Sequence, residues 1–224
     1  MAEVLGPLPP HVQRFDFLTE SEHQLLFDWV LSNRDRFSPA GVTKGVIGSE
    51  IRLDPAQRIA LTTRKLGPIA DMLTERLLDA LPQAMAGTGT GGPSPTSLEL
   101  ELAAHGHGAF YLPHLDIPVG AQRTPVSGTP GEDRVLSAVY YFHGRPKGFS
   151  GGQLRLYRFG ADSDATRADP ANYVDVKPVR NSLTAFPSWV RHEVRPVSCP
   201  SGEFREYRFA LNCWYCRALA PTGS

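Results

Sequence analysis

The chain has 224 residues, with 23 Lys+Arg against 23 Asp+Glu, no formal net charge and 41% hydrophobic residues. Such a chain suits one domain spanning residues 1–224 and buries about 70% of its unfolded surface, so its core needs no disulfide framework. The balance, without any Lys/Arg run, excludes the basic face of a nucleic-acid binder, and no apolar stretch approaches the roughly 20 residues of a membrane-spanning helix.

The opening MAEVLGPLPP lacks the basic start and apolar run of a signal peptide, and three cysteines (Cys199, Cys213, Cys216) suit a reducing compartment. The expectation is a cytoplasmic protein without a membrane anchor. With 21 Gly and 20 Pro, the two make about 18% of the chain against an average of about 12%. Many turns, and hence many short strands, follow from that excess.

In chain order, residues 20–31 place Leu25, Leu26, Trp29 and Val30 at helical spacing behind Thr19 or Ser21 as N-cap candidates. A second helix spans Leu66 to Leu81, with Ile69, Met72, Leu73, Leu77 and Leu81 in one stripe, ended by Pro82. Both stripes are expected to cover a sheet. Residues 84–95, AMAGTGTGGPSP, break the periodicity and read as a flexible connection. No GK[ST] ending makes their glycines a phosphate loop.

From residue 96 to 218 the pattern turns to eight strand-like runs: SLELELAA, AFYLPHLD, RVLSAVYYFH, GQLRLYRF, NYVDVKPV, SLTAFPSW, HEVRPV and EYRFALNCWYC. The expected fold is mainly β (α+β), a jelly-roll core over residues 96–218 with residues 1–95 as a mainly helical support. Residues 117–133 form a long connection of the kind that carries function.

His114 and Asp116 lie two apart in a strand-like run, so alternation puts both on one face. His192 opens another short strand. Two imidazoles and one carboxylate, with open positions, form the facial triad suited to non-haem Fe(II). An HxD tripeptide alone is weak; Arg208, in RFALNCWY, adds to it. A buried Arg on an apolar strand needs an anion, the alternative being a strand-edge Arg paired with a surface Glu. Arg208, Ala210, Asn212 and Trp214 share one face. CWYC is neither a redox pair nor half a zinc site, because an offset of three sends the two sulfurs to opposite faces of a strand and no second Cys pair exists.

The ordered series YLPHLD, LSAVYYFH, FSGGQLRLY, FPSWVRHEVRPV and YRFALNCWY resembles the prolyl-4-hydroxylase-like branch of the Fe(II)/2-oxoglutarate-dependent oxygenases over roughly residues 98–217. The resemblance implies a double-stranded β-helix core with supporting N-terminal helices, in agreement with the strand count. It implies His114, Asp116 and His192 as iron ligands, Arg208 binding the distal carboxylate of 2-oxoglutarate, and Tyr141 hydrogen-bonding the same carboxylate. A planar guanidinium can clasp a carboxylate bidentately, which makes Lys a looser substitute. Asn212 and Trp214 are candidates for lining the cosubstrate and iron pocket, with core packing the alternative for Trp214. Leu154 or Leu156 would supply apolar wall, and Tyr111 resembles a tyrosine often found beside the site.

One departure stands out. Where many relatives have a tyrosine about ten residues before the first ligand, this chain reads AAHGHG, which makes His105 a polar group near the site or a loop histidine. His11, His23 and His143 read as structural or exposed.

The activity implied is Fe(II)-, 2-oxoglutarate- and O2-dependent hydroxylation of a C–H bond, releasing succinate and CO2, with ascorbate as reductant. Asp116 disfavours halogenation, because related halogenases replace that carboxylate by a small residue. The competing class is a non-catalytic jelly-roll binding module or a cupin-type metalloprotein, neither of which requires Arg208 and Tyr141. The substrate is a small molecule or a peptide: a prolyl residue, a free amino acid or a natural-product intermediate. Residues 117–133, residues 42–58, Arg145 and Lys147 are candidates for selecting it, and Arg123, Arg134 and Arg145 near the mouth would favour an acidic group. No heptad or swapping segment marks an oligomer interface.

Overall fold

The computed structural model describes residues 6–43, 51–117 and 132–218. β1 (Val12–Phe15) leads into α1 (Glu20–Ser32), and β2 (Ser38–Pro39), β3 (Val42–Thr43), β4 (Ile51–Arg52), β5 (Arg58–Ile59) and β6 (Leu61–Thr63) precede α2 (Ala70–Thr88). Next come β7 (Ser97–His105), β8 (Phe110–His114), β9 (Glu132–Phe142), β10 (Ser150–Gly151) and β11 (Leu154–Tyr157). After the one-turn α3 (Asp164–Ala168) follow β12 (Tyr173–Val176), β13 (Ser182–Pro187), β14 (His192–Val194), β15 (Val197–Ser198) and β16 (Arg208–Ala218). All eight strand-like runs are strands; HEVRPV divides into β14 and β15.

A seven-stranded sheet has the order β1-β13-β9-β16-β7-β6-β2, and a five-stranded sheet the order β12-β11-β14-β8-β5. Their pairings are antiparallel. The sheets face each other across an apolar lumen to which the large sheet gives Val139, Tyr141, Phe186 and Ala210 and the small one Leu154, Leu156 and Val176. That is the expected jelly roll.

Alternation sorts the large sheet into two faces. The row Ala210–Tyr141–Ser182 faces the lumen, and the next row, Leu211–Tyr140–Leu183, faces outward. The outer face is covered by both helices: Leu26, Ile69, Leu73 and Leu77 pack with Tyr140, Phe142, Phe209 and Leu211 in one cluster. His23 belongs to that face, edge-on to Phe142 at 6.4 Å, and burial pushes its pKa down to about 4.

Thr19 caps α1 in a capping box, accepting from the Glu22 amide while its own amide donates to Glu22 Oε2 at 2.9 Å. α2 does not stop at Pro82. It continues to Thr88 and ends at Gly89 in the left-handed region, φ 66°, so residues 84–88 are helix rather than connection. Ala84 and Thr88 extend the buried stripe; their packing outweighs the one hydrogen bond that proline removes. The N-terminal third is also more than helical support: β1 and β2 close the two edges of the large sheet, and β5 one edge of the small one.

Leu77 is fully buried, and its carbonyl accepts the Tyr215 hydroxyl at 2.7 Å. Leu77→Ala is expected to lower the unfolding free energy by about 2–5 kcal/mol through lost burial and a residual cavity. Urea denaturation followed by circular dichroism checks this.

Candidate active site

β8 and β14 are neighbours in the small sheet, and the register sets His114 directly opposite His192. Asp116 lies beyond the end of β8, so a bend after the strand, rather than strand alternation, returns its carboxylate to the histidines. His114 Nε2 is 4.0 Å from Asp116 Oδ1 and His192 Nε2 is 3.6 Å from Asp116 Oδ2. One nitrogen or oxygen from each residue falls within 4.8 Å of the others, a group able to hold a metal ion.

Each imidazole is held from behind. His114 Nδ1 donates to the Leu112 carbonyl at 2.8 Å and His192 Nδ1 to the Val190 carbonyl at 2.9 Å. A proton fixed on Nδ1 leaves the Nε2 lone pair for the centre, the arrangement that metal-binding histidines need. Tyr111 stacks on His114 with ring centroids 3.6 Å apart. The Arg58 guanidinium lies 4.8 Å from the Tyr111 centroid and pairs with Glu101 at 2.8 Å. Phe186 meets His192 edge-on at 4.8 Å.

Desolvation, reinforced by His192, pushes the His114 pKa down to about 3. Burial opposes the charged form of Asp116 too. The neighbouring His192 and His114, then Arg134 and the Ser137 hydroxyl, outweigh that penalty and hold the carboxyl below its ordinary value. The site therefore offers two imidazoles and one carboxylate, a donor set that suits a divalent metal such as Fe(II).

A second constellation sits further along the lumen. Arg208, only 1% exposed, donates from Nε to the Gly152 carbonyl at 2.8 Å and from Nη1 to His105 Nδ1 at 3.1 Å. Its guanidinium carbon is 5.1 Å from the Tyr141 ring centroid. Arg208 Nη2, the Tyr141 hydroxyl and the Thr184 hydroxyl are all buried without a hydrogen-bond partner. Burial raises the Tyr141 pKa to about 12, so the phenol keeps its proton. Gly152, at φ +68°, makes room for the arginine: a Cβ there would lie 2.5 Å from Arg208 Cδ. No carboxylate among the described residues forms an ion pair with Arg208.

Between the two constellations the wall is apolar, with Val139, Ala210, Leu154 and Leu156 all in the lumen cluster. Both expected wall leucines are there. Asn212 lies half-buried on the lumen face of β16, opposite Val139 and Glu101. Trp214, further along, packs against Arg134 at 4.0 Å and Arg64 at 5.6 Å.

Arg134 is not free to attract an acidic group at the mouth, because its Nε and Nη2 both go to Glu99, at 3.3 and 2.8 Å. Lys147 lies over the Phe149 ring at 4.3 Å and Arg145 is exposed. Arg123 and most of the 117–133 connection lie outside the described residues, as do residues 44–50.

Ser137, Ser188 and Thr184 were not singled out from the sequence. Ser137 donates to Asp116 Oδ2 at 2.6 Å and meets Ser188 Oγ at 2.9 Å, while the Asp116 amide donates to the Ser188 carbonyl at 3.3 Å. The signal for Ser137 was available: it shares the parity of Tyr141 on the same strand.

Comparison with known proteins first finds the same fold. A prolyl-4-hydroxylase from Pseudomonas putida superposes with a TM-score of 0.63 at 22% identity, covering 93% of each chain. A prolyl hydroxylase from Trichoplax adhaerens, in complex with a hypoxia-inducible-factor peptide fragment, superposes with a TM-score of 0.63 at 19% identity, covering 92% of this chain and 83% of its own. In sequence, an uncharacterized PKHD-type hydroxylase of Synechocystis is 30% identical over 199 residues, 89% of this chain; the chain spans 60% of that relative's length. The 2OG-Fe(II) oxygenase superfamily pattern matches residues 100–216. The chain belongs to that superfamily, whose members use Fe(II), 2-oxoglutarate and O2.

Removing the Ser137 hydroxyl frees the Asp116 carboxylate to rotate. Ser137→Ala is expected to weaken divalent-metal affinity by about 10-fold, the lower end for loss of a hydrogen bond behind a ligand. Calorimetric titration with Mn(II) measures it.

Proposed function

We propose that this chain is a hydroxylase in which His114, Asp116 and His192 hold Fe(II) while Arg208 and Tyr141 bind the distal carboxylate of 2-oxoglutarate. The observation that carries this reading is the buried, anion-free guanidinium of Arg208 beside an unpartnered phenol. Burying a charge without a counter-ion costs several kcal/mol, and a carboxylate accepting from Arg208 Nη2 and the Tyr141 hydroxyl would offset it. A binding module or a cupin-type protein gives these groups no such partner.

When bound, iron with 2-oxoglutarate and O2 supplies oxidative decarboxylation to succinate and CO2 coupled to hydroxylation of a C–H bond. The chain's own residues bind and orient. His114 and His192, each tied back through Nδ1, present Nε2 to the centre, and Asp116 contributes one negative charge held by Ser137. Val139, Leu154 and Leu156 exclude water from the path between metal site and carboxylate site, which strengthens the electrostatics at both ends. Ascorbate as reductant belongs to this reading through the resemblance.

For the substrate, we propose a small molecule or a peptide with an aliphatic target carbon. A cavity of about 390 Å³ lies between the end of α2 (Thr88 to Gly91), Val135, Pro187 and Trp189; none of His114, Asp116 and His192 lines it, but Ile117, next to Asp116 in the chain, does. Trp189 is 44% exposed, and its indole face suits a proline ring or a similar aliphatic group. Among the described residues no helix is long and apolar enough to cross a membrane.

Purified protein is expected to release succinate only with both Fe(II) and 2-oxoglutarate, and mass spectrometry of proline peptides, amino acids and cell extract should show a product one oxygen heavier. Arg208→Ala should raise the dissociation constant for 2-oxoglutarate about 100-fold, on the scale of a bidentate charge-assisted contact. Wild-type protein that binds neither iron nor 2-oxoglutarate overturns the reading. Normal turnover by Asp116→Ala overturns the ligand assignment.

A further inference from the structure

His105 ends β7 and Arg208 begins β16, and the sheet register sets them directly opposite each other. The imidazole is 3% exposed. Arginine is always a donor, so the 3.1 Å contact between Arg208 Nη1 and His105 Nδ1 makes Nδ1 the acceptor. His105 is then the neutral tautomer with its proton on Nε2. Burial, with the charges of Arg208 and Arg58 behind it, holds the pKa well below the usual histidine value and favours that neutral form.

The guanidinium plane needs more than one anchor. Nε is tied to the Gly152 carbonyl at 2.8 Å; a single bond at Nε leaves the terminal nitrogens free to tilt. The second bond, at Nη1, fixes them and leaves Nη2 as the atom without a partner. At Gly106, next to His105, a Cβ would lie 2.5 Å from the Tyr207 ring.

We infer that His105 is a positioning residue for the carboxylate clamp: by accepting from Arg208 Nη1 it orients the guanidinium so that Nη2 faces the distal carboxylate of the cosubstrate. This rests on the proposed role of Arg208. A neutral acceptor is required, because a carboxylate at position 105 would satisfy Arg208 internally and a cation would repel it. The imidazole fixes the arginine without cancelling its charge.

The test compares two keto acids on the Mn(II)-loaded protein by calorimetry: 2-oxoglutarate, and 2-oxovalerate, which has the same chain length but no distal carboxylate. Loss of one charge-assisted hydrogen bond predicts that His105→Leu binds 2-oxoglutarate about 10-fold more weakly and 2-oxovalerate as wild type does. His105→Asn, whose side-chain oxygen replaces Nδ1 as acceptor, should restore most of the loss. Equal weakening of both keto acids, or none, overturns the inference while leaving the proposed function standing. Wild type that fails to bind 2-oxoglutarate overturns both. Nitrogen-15 NMR of wild-type histidines tests the same point without a variant: His105 should be the Nε2–H tautomer at neutral pH, and an Nδ1–H tautomer overturns the inference.

Discussion

Arg208 brings a permanent positive charge into the interior of the barrel. Its guanidinium is planar, fully charged at any accessible pH, and almost wholly out of water. In a medium of low dielectric such a group is tolerated only if its protons are satisfied and its charge is met. Gly152 and His105 satisfy two of its nitrogens without supplying charge; on the proposed reading, an anion completes the arrangement. Much of the lumen can be understood from that need: the glycine that gives way to the side chain, the neutral histidine opposite it, and the phenol of Tyr141 alongside.

What places this charge is the two-faced large sheet. Its outer surface carries the apolar load, with α1 and α2 packed over Tyr140, Phe142, Phe209 and Leu211. Because that face is fixed by burial, a one-residue slip of β9 or β16 would drive Arg208 and Tyr141 into the helix interface and bring Leu211 into the lumen. Register is therefore enforced at a distance from the site by hydrophobic packing. β9 connects the two constellations: Ser137 touches Asp116 at one end, and Tyr141 faces Arg208 four residues later, about 13 Å along the strand.

The eight main strand runs of residues 96–218, the outer and inner parities of β16, and the grouping of His114, Asp116 and His192 were legible in the sequence because each depends on local alternation or residue chemistry. Four features were not, and for different reasons. Pro82 reads as a helix end because its lost hydrogen bond is local, whereas the burial of Ala84 and Thr88 that carries α2 onward is tertiary. Asp116 reaches the histidines through a bend whose shape is set by the Ser188 carbonyl, 72 residues away in the chain and invisible to periodicity. The short N-terminal strands β1, β2, β5 and β6 have two to four residues each, too few for alternation to register; they exist because the sheets offer them edges. Thr184 reads as an ordinary strand residue, and only its unpartnered, fully buried hydroxyl marks it.

Charge within the lumen divides into a satisfied part and an unsatisfied one. Arg58 is paired with Glu101 and Arg134 with Glu99, while Arg64, half exposed, shares both glutamates with solvent. What remains among the described residues is the carboxylate of Asp116 at one end and the guanidinium of Arg208 at the other, separated by an apolar wall. A divalent cation beside the first and a dicarboxylate spanning to the second would, on the proposed reading, leave the filled lumen with no net charge. On that reading, His105 has to be neutral. A charged imidazole next to Arg208 would add one uncompensated cation to a dry interior, whereas an acidic residue there would occupy the clamp in advance. A neutral acceptor avoids both outcomes, which makes position 105, on the proposed reading, as constrained by electrostatics as His114, Asp116 and His192 are by coordination chemistry.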